Sequence, residues 1–237
     1  NGVNHGAVSE QLGIYGSPSI AEESLVARDC MIALHSGADV VMQHISSGRS
    51  VDIIRHFKSL GANIHTEATP HHFTLTDEAV LTYGTLAKMN PPLRARADRD
   101  ALIEGALDGT IDMVATDHAP HSAEEKGRGL EKSAMGIVGL ETAFPLLYTY
   151  LVKPGVISME RLMELLHDAP CRRFNIPADT GVTVFDLNDS YRVDPADFLS
   201  MGKATPFTGW EVQGRCLLTA TGETAVWYDK NRLLKGE

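Results

Sequence analysis

Apolar positions along the first two thirds of the chain alternate between short continuous runs and stripes at helical spacing. The run Asp39–Ser46, with Val40, Val41 and Met42 at its start, reads as a strand. Asn63–Thr69 reads as a second strand, ending in Pro70-His71-His72. Ile111–Ala115 reads as a third, and it delivers Asp117 at its C-terminal end. Helical stripes lie between and around them. Ser19-Ile20-Ala21-Glu22 has capping-box spacing and predicts a helix to about His35, closed by Gly37, with Leu25, Ile32 and Ala33 on its buried side. Val51, Ile54 and Phe57 predict a helix over 50–60, and a further helix is expected over 98–107, followed by Gly109. Strand, helix, strand, helix with short connections is the order of parallel βα units. Two more helices are expected at about Leu140–Leu151 and Ser158–Leu166. The pattern then turns to alternation in Thr183–Asp186, Tyr191–Val193 and Val212–Tyr228, with turn signals at Asn188-Asp189 and Thr221-Gly222. The first eighteen residues read as irregular and Gly-rich. The expectation is an α/β region over 1–177 and a small β-rich appendage over 178–237.

Composition narrows the class. At 237 residues, with 43% hydrophobic and 22% charged residues, the chain is ordinary for a globular protein with a sizeable core. No apolar stretch reaches the roughly 18 to 20 residues of a membrane span, and no segment reads as a signal peptide. A formal net charge of -10 argues against nucleic acid or an anionic membrane as the main partner. It leaves room for an anionic small-molecule substrate at a locally positive site. Cys30, Cys171 and Cys216 form no C-x-x-C pair and read as reduced thiols of a cytoplasmic protein.

Ten histidines are many for this length, and several fall at strand ends. His44 ends one expected strand and Asp117 another. If both strands share one barrel, both side chains face one mouth, where reactive residues gather. Imidazole and carboxylate are ordinary ligands of Zn²⁺, which turns bound water into a nucleophile near neutral pH. The plainer alternatives are that His44 caps its strand and that Asp117-His118 caps a turn. Two ligands also fall short of the three that a catalytic zinc takes from protein. On an extended backbone His71 and His72 point to opposite faces, so at most one reaches a shared metal. Asn90, before Pro91-Pro92, sits on a stiffened backbone and either binds substrate or caps a turn. His121 either donates to an anionic ligand or is solvated. The Met135-Gly136 amides precede an expected helix and suit a carboxylate or carbonyl oxygen. The charged segment Ser122–Ser133 reads as a loop over this mouth or as ordinary surface.

Five motifs in order carry a resemblance: Gln43-His44-Ile45-Ser46, Glu67-Ala68-Thr69-Pro70-His71-His72, Asn90-Pro91-Pro92-Leu93-Arg94, Ala115-Thr116-Asp117-His118-Ala119-Pro120-His121 and Gly136-Ile137-Val138-Gly139-Leu140-Glu141-Thr142. With Thr205-Pro206-Phe207-Thr208-Gly209-Trp210, they make the chain resemble the bacterial dihydroorotases of the multifunctional-type class, in the amidohydrolase superfamily. The resemblance implies the second half of a (β/α)₈ barrel plus a small C-terminal β-rich appendage. It implies reversible hydrolysis of L-dihydroorotate to N-carbamoyl-L-aspartate in pyrimidine biosynthesis, with one or two Zn²⁺ per subunit. By that resemblance His44 and Asp117 bind metal, Asp117 also moves the proton, and Asn90, His121, Met135 and Gly136 hold the substrate. A homodimer and an aspartate transcarbamoylase partner are the associations it implies. Within the superfamily, the rivals are dihydropyrimidinase, hydantoinase and allantoinase; a silent structural partner of the transcarbamoylase is a rival of another class. The family's His-x-His, bridging aspartate and fifth-strand histidine have no counterpart here, so a preceding segment is expected. The segment around Asn175–Asp179 is also shorter than the family's Gly-rich linker.

Overall fold

The computed structural model describes residues 2–177, 181–222 and 224–229. Ala178 and Asp179, where the shortened linker was expected to end, lie outside them. The chain divides into two compact units, Asn1–Ala143 with Pro195–Pro206, and Phe144–Asp194 with Phe207–Glu237.

The first unit is built on a parallel sheet in the order β1 (Val40–Met42), β2 (Ile64–Ala68), β3 (Met113–Val114). Val40 stands opposite Ile64, Met42 opposite Thr66, and Ala68 opposite Val114. Two helices precede the sheet: a short α1 (Ala7–Gln11), where irregular chain was expected, and α2 (Ile20–Ser36). Helix α3 (Gly48–Ser59) returns the chain from β1 to β2. Short helices α4 (Pro70–Thr74) and α5 (Ala79–Tyr83), then α6 (Arg96–Asp108), carry it to β3. Parallel strands need such crossovers, because each return must cross a face of the sheet. Val51, Ile54, Ile64, Ala68, Leu102, Ala106, Ile111 and Met113 fill the core. Gly105 permits the close approach of α6 to α3: a Cβ there would lie 2.9 Å from Cγ1 of Val51.

Helix α2 departs from its expected face. Glu23, Val26, Cys30 and Ala33 are the buried positions, whereas Leu25 is 51% and Ile32 56% exposed. The capping box also fails to form. Ser19 makes no side-chain cap, and the Glu22 carboxylate turns instead to the amides of Ser46 and Ser47. A long-range acceptor role has displaced the local one. The strands are shorter than their apolar runs, although single backbone hydrogen bonds continue beyond them.

The second unit opens within α9 (Ala143–Leu147), at Phe144, and the helix widens into a π-helical segment, Tyr148–Val152. Helices α10 (Met159–Met163) and α11 (Ala169–Phe174) flank a second π-helical segment, Glu164–Asp168. Helix α9 begins three residues after Leu140, the expected start. The unit then forms an antiparallel sheet, β4 (Gly181–Arg192), β5 (Glu211–Thr221) and β6 (Thr224–Tyr228), in sequence order. The two runs expected around Asn188-Asp189 are one irregular strand, whereas the Thr221-Gly222 turn separates β5 from β6. Phe144 stacks on Phe185 with ring centres 3.8 Å apart, joining helix to sheet. Among the described residues no helix is long and apolar enough to cross a membrane.

Candidate active site

Strand β1 runs out at Met42 and β3 at Val114, so the residues that follow, His44 and Asp117, leave the same C-terminal edge of one parallel sheet. Backbone pairing persists slightly past the strands. The Ile45 amide donates to the Glu67 carbonyl at 2.8 Å, and the Ala115 amide to the Ala68 carbonyl at 3.1 Å. With β2 between them, two strand spacings set the two backbones roughly 10 Å apart. Both residues are half-buried.

Both also hold left-handed backbone, φ 38° at His44 and φ 47° at Asp117. Asn175 is the other such non-glycine residue among those described, and it is an ordinary helix C-cap. Left-handed backbone costs a side-chain-bearing residue on the order of 1 kcal/mol or more and persists where surrounding structure fixes it.

What fixes the turn at His44 is visible. Glu22 Oε1 accepts from the amides of Ser46 at 3.1 Å and Ser47 at 3.0 Å, and its other oxygen accepts from Ser46 Oγ. Ser47 Oγ donates to Glu23 at 2.7 Å. The buried Arg94 guanidinium completes the cluster. It donates to Ser46 Oγ at 3.1 Å, Asn4 Oδ1 at 3.0 Å and the Ser17 carbonyl at 2.8 Å, and Nη2 lies 3.8 Å from Glu22. Asn4 passes the connection to Asp77 at 2.8 Å. Arg94 lies four residues beyond Asn90, so one network braces both the His44 turn and the segment of the exposed Asn90.

His71 and His72 sit on the helical turn α4 rather than on extended strand, which corrects the expectation that they point to opposite faces. Their rings lie 4.7 Å apart and both are buried. Thr69 at the N-cap bonds both the His72 amide and His72 Nδ1, and His72 Nε2 faces the carbonyls of Pro91 and Pro92 at 3.2 and 3.3 Å. That arrangement makes His72 Nε2 a donor and the ring neutral; burial lowers its pKa to about 4. It is a structural pin beneath the Asn90 segment. His71 is different, since its buried Nε2 has no hydrogen-bond partner. Burial first, then its neighbours His72 and His44, drive its pKa well below the ordinary value. Glu67, also near His44, has its pKa raised by burial, and His44 opposes that rise.

After Asp117 the chain is held by its histidines. His118 Nδ1 accepts from the amides of Gly139 at 3.1 Å and Leu140 at 3.3 Å. Its Nε2 meets Ser200 Oγ at 3.4 Å, and Ser200 donates to Glu141 at 2.6 Å. His121 Nε2 donates to the Met135 carbonyl at 2.9 Å, and its Nδ1 lies 3.7 Å from Glu125. Three of the expected substrate-binding residues are therefore neighbours. The Gly136 amide is not free: it donates to the Lys88 carbonyl at 2.9 Å. Gly136 holds φ 107°, and a Cβ there would fall 2.6 Å from that of Ala119. Met135 is 40% exposed, and the next helix after Gly136 starts only at Ala143, too far on to lend these amides its dipole.

Residues 122–133 hold two short helices, α7 (Ala123–Lys126) and α8 (Gly129–Lys132), rather than open loop. Sequence reasoning missed what anchors them: Lys88 and Lys126 are 2% and 3% exposed. Lys126 Nζ donates to the carbonyls of Ala134 at 3.0 Å and Gly136 at 2.9 Å, and burial with Lys88 nearby lowers its pKa to about 8. A lysine in a charged stretch gives no sign that it will be buried.

Imidazole and carboxylate on one edge, with a second buried imidazole unpartnered beside the first, suit a zinc-type donor set. Among the described residues no three His, Cys, Asp or Glu side chains group so as to hold a metal ion. The fit is that of part of a centre.

No family model matches the chain. It is 46% identical over 235 residues to a dihydroorotase of Halalkalibacterium halodurans, covering 96% of this chain and 55% of that protein. It is 44% identical over 241 residues to a dihydroorotase of Bacillus cytotoxicus, covering 98% of this chain and 56% of that protein. The chain thus spans about half the length of the curated relatives it matches. Among solved structures it is similar to an L-hydantoinase (dihydropyrimidinase) from Arthrobacter aurescens, with TM-score 0.85 and 29% identity over 90% of this chain and 50% of that one. A dihydropyrimidinase from Brevibacillus agri shares the fold at TM-score 0.83 and 20% identity, over the same shares.

Proposed function

We propose that this homologue of proteins named dihydroorotase supplies part of the active site of a dihydroorotase, which interconverts L-dihydroorotate and N-carbamoyl-L-aspartate. The observation that carries the reading is the departure of His44 and Asp117 from one sheet edge, each in left-handed backbone. The sequence likeness favours dihydroorotase over the hydantoinase alternative, since the dihydroorotases are 44–46% identical and the hydantoinase 29%. In this reading residues 1–177 are the second half of a (β/α)₈ barrel and 178–237 the small β-rich domain. The family's remaining metal ligands belong to the length of the relatives that this chain does not span.

His44 and Asp117 would hold one or two zinc ions, with the unpartnered His71 imidazole beside His44. When bound, the metal supplies Lewis acidity toward the ring carbonyl and acidifies water. Asp117 takes the proton from the attacking water at a carboxylate oxygen and delivers it to the ring nitrogen as the amide bond opens. Closing the ring reverses that transfer. Asn90 offers its amide to the substrate. His121 exchanges its bond to the Met135 carbonyl for one to the substrate carboxylate, and Met135-Gly136 closes that side. A cytoplasmic homodimer, with an aspartate transcarbamoylase partner, is the assembly consistent with this role.

The test is turnover by the intact protein of dihydroorotate against dihydrouracil and allantoin, before and after chelation. Metal-dependent turnover favouring dihydroorotate is expected. Preference for dihydrouracil or allantoin would transfer the protein to the other cyclic amidases.

A further inference from the structure

We propose that Lys88 and Lys126 are positioning residues: two buried ammonium groups that grip the backbone carbonyls of residues 131–136 and so set the geometry of Met135, Gly136 and His121 for substrate. The inference rests on the dihydroorotase reading for its kinetic part only.

The grip is unusually complete. Lys88 Nζ donates to the carbonyls of Ser133 at 2.8 Å and Glu131 at 3.3 Å. Lys126 Nζ donates to Gly136 at 2.9 Å, Ala134 at 3.0 Å and Lys88 itself at 3.5 Å. His121 takes the Met135 carbonyl at 2.9 Å. Five of the six carbonyls from Glu131 to Gly136 are thereby bound by side chains from outside the segment. In return the Gly136 amide bonds the Lys88 carbonyl at 2.9 Å, and the Ala134 amide bonds Glu125 at 3.2 Å.

Among the described residues neither ammonium forms an ion pair with a carboxylate; the charged group that acts on Lys126 is Lys88. Burying two like charges without counter-charge is costly unless dipoles replace the water they lose. An apolar side chain of similar length would fill the same space without that cost. What only the ammoniums provide is several convergent donors, including those for the buried carbonyls of Ser133 and Gly136.

Lys88 also connects the two flanks of the site. Its ammonium holds residues 131 and 133, its carbonyl holds Gly136, and two residues further on stands Asn90. A slackened segment lets Met135 and the His121 imidazole drift, which weakens substrate binding while leaving Asp117 in place.

The test is Lys126→Met in the intact protein, with Lys126→Gln as a second variant that keeps two N–H donors and folds where Met does not. Lys132→Met, an exposed lysine of the same segment, is the control. Lys126→Met should raise KM for dihydroorotate by about tenfold or more with kcat within about threefold, and Lys126→Gln should fall between it and wild type. Amide exchange at Gly136 should accelerate by about tenfold or more in Lys126→Met while the β2 amides stay protected. Unchanged Gly136 exchange, or a loss confined to kcat, would overturn the proposal. Should the wild-type protein fail to turn over dihydroorotate, the functional reading falls and the exchange result alone decides the positioning role.

Discussion

Removing the Arg94 guanidinium should destabilise the protein more than any exposed charge change. Arg94→Met keeps the length and apolar volume of the side chain while deleting donors to Ser46 Oγ, Asn4 Oδ1 and the Ser17 carbonyl. It also strips Glu22, 3.8 Å away, of its only facing cation among the described residues. Hydrogen bonds from charged groups contribute roughly 1.5–3 kcal/mol each, but a simple sum overshoots because Asn4 and the serines relax. Breaking a buried pair by deleting one member costs about 3–5 kcal/mol, which is the expected loss here. Against a typical native stability of about 5–15 kcal/mol, that is a large fraction. Urea unfolding of the intact protein, followed by circular dichroism, measures it. Glu22→Gln retains one acceptor oxygen for the Ser46 and Ser47 amides but loses the charge and the oxygen that accepts from Ser46 Oγ, so it should cost about 1–3 kcal/mol. The double variant should cost less than the two added together, by about 1 kcal/mol or more. A loss under about 1 kcal/mol for Arg94→Met, or strict additivity, would refute the claim that this cluster braces the His44 turn.

Acid should unfold the protein partly through His72. Its folded pKa, about 4, lies below the ordinary 6.5, so the unfolded chain binds the extra proton between those values and stability falls as pH drops through that window. The full difference is about 3 kcal/mol, and His72→Gln should flatten the stability profile from pH 6.5 to 4; an unchanged profile would exclude His72 as the cause. Gly136→Ala should cost about 2–4 kcal/mol, since it combines a left-handed φ of 107° with a Cβ 2.6 Å from that of Ala119. A variant melting like wild type would show that Ala119 yields. Asp117→Ala should nearly abolish turnover while the circular dichroism spectrum stays unchanged, and near-wild-type activity would remove it from proton transfer. His121→Ala should raise KM with little change in kcat, and the reverse split would assign it to the chemical step.

The pattern of apolar runs by itself determined the parallel βα order, the placement of His44 and Asp117 two to three residues past the strand ends, and the antiparallel turn at Thr221-Gly222. Those features follow from periodicity and from which residues tolerate strand and turn, both properties of neighbouring positions. What only the tertiary structure decided is where long polar side chains go. Glu22 left its local cap for Ser46 and Ser47, and α2 buries Glu23, Val26, Cys30 and Ala33 while Leu25 and Ile32 stay exposed. His72 became a pin under Pro91 and Pro92 instead of a strand-end residue, and Lys88 and Lys126 sank among carbonyls. These choices join residues 8 to 45 positions apart, and their energy depends on burial, because a charge or imidazole gains much from such an acceptor only where water is excluded.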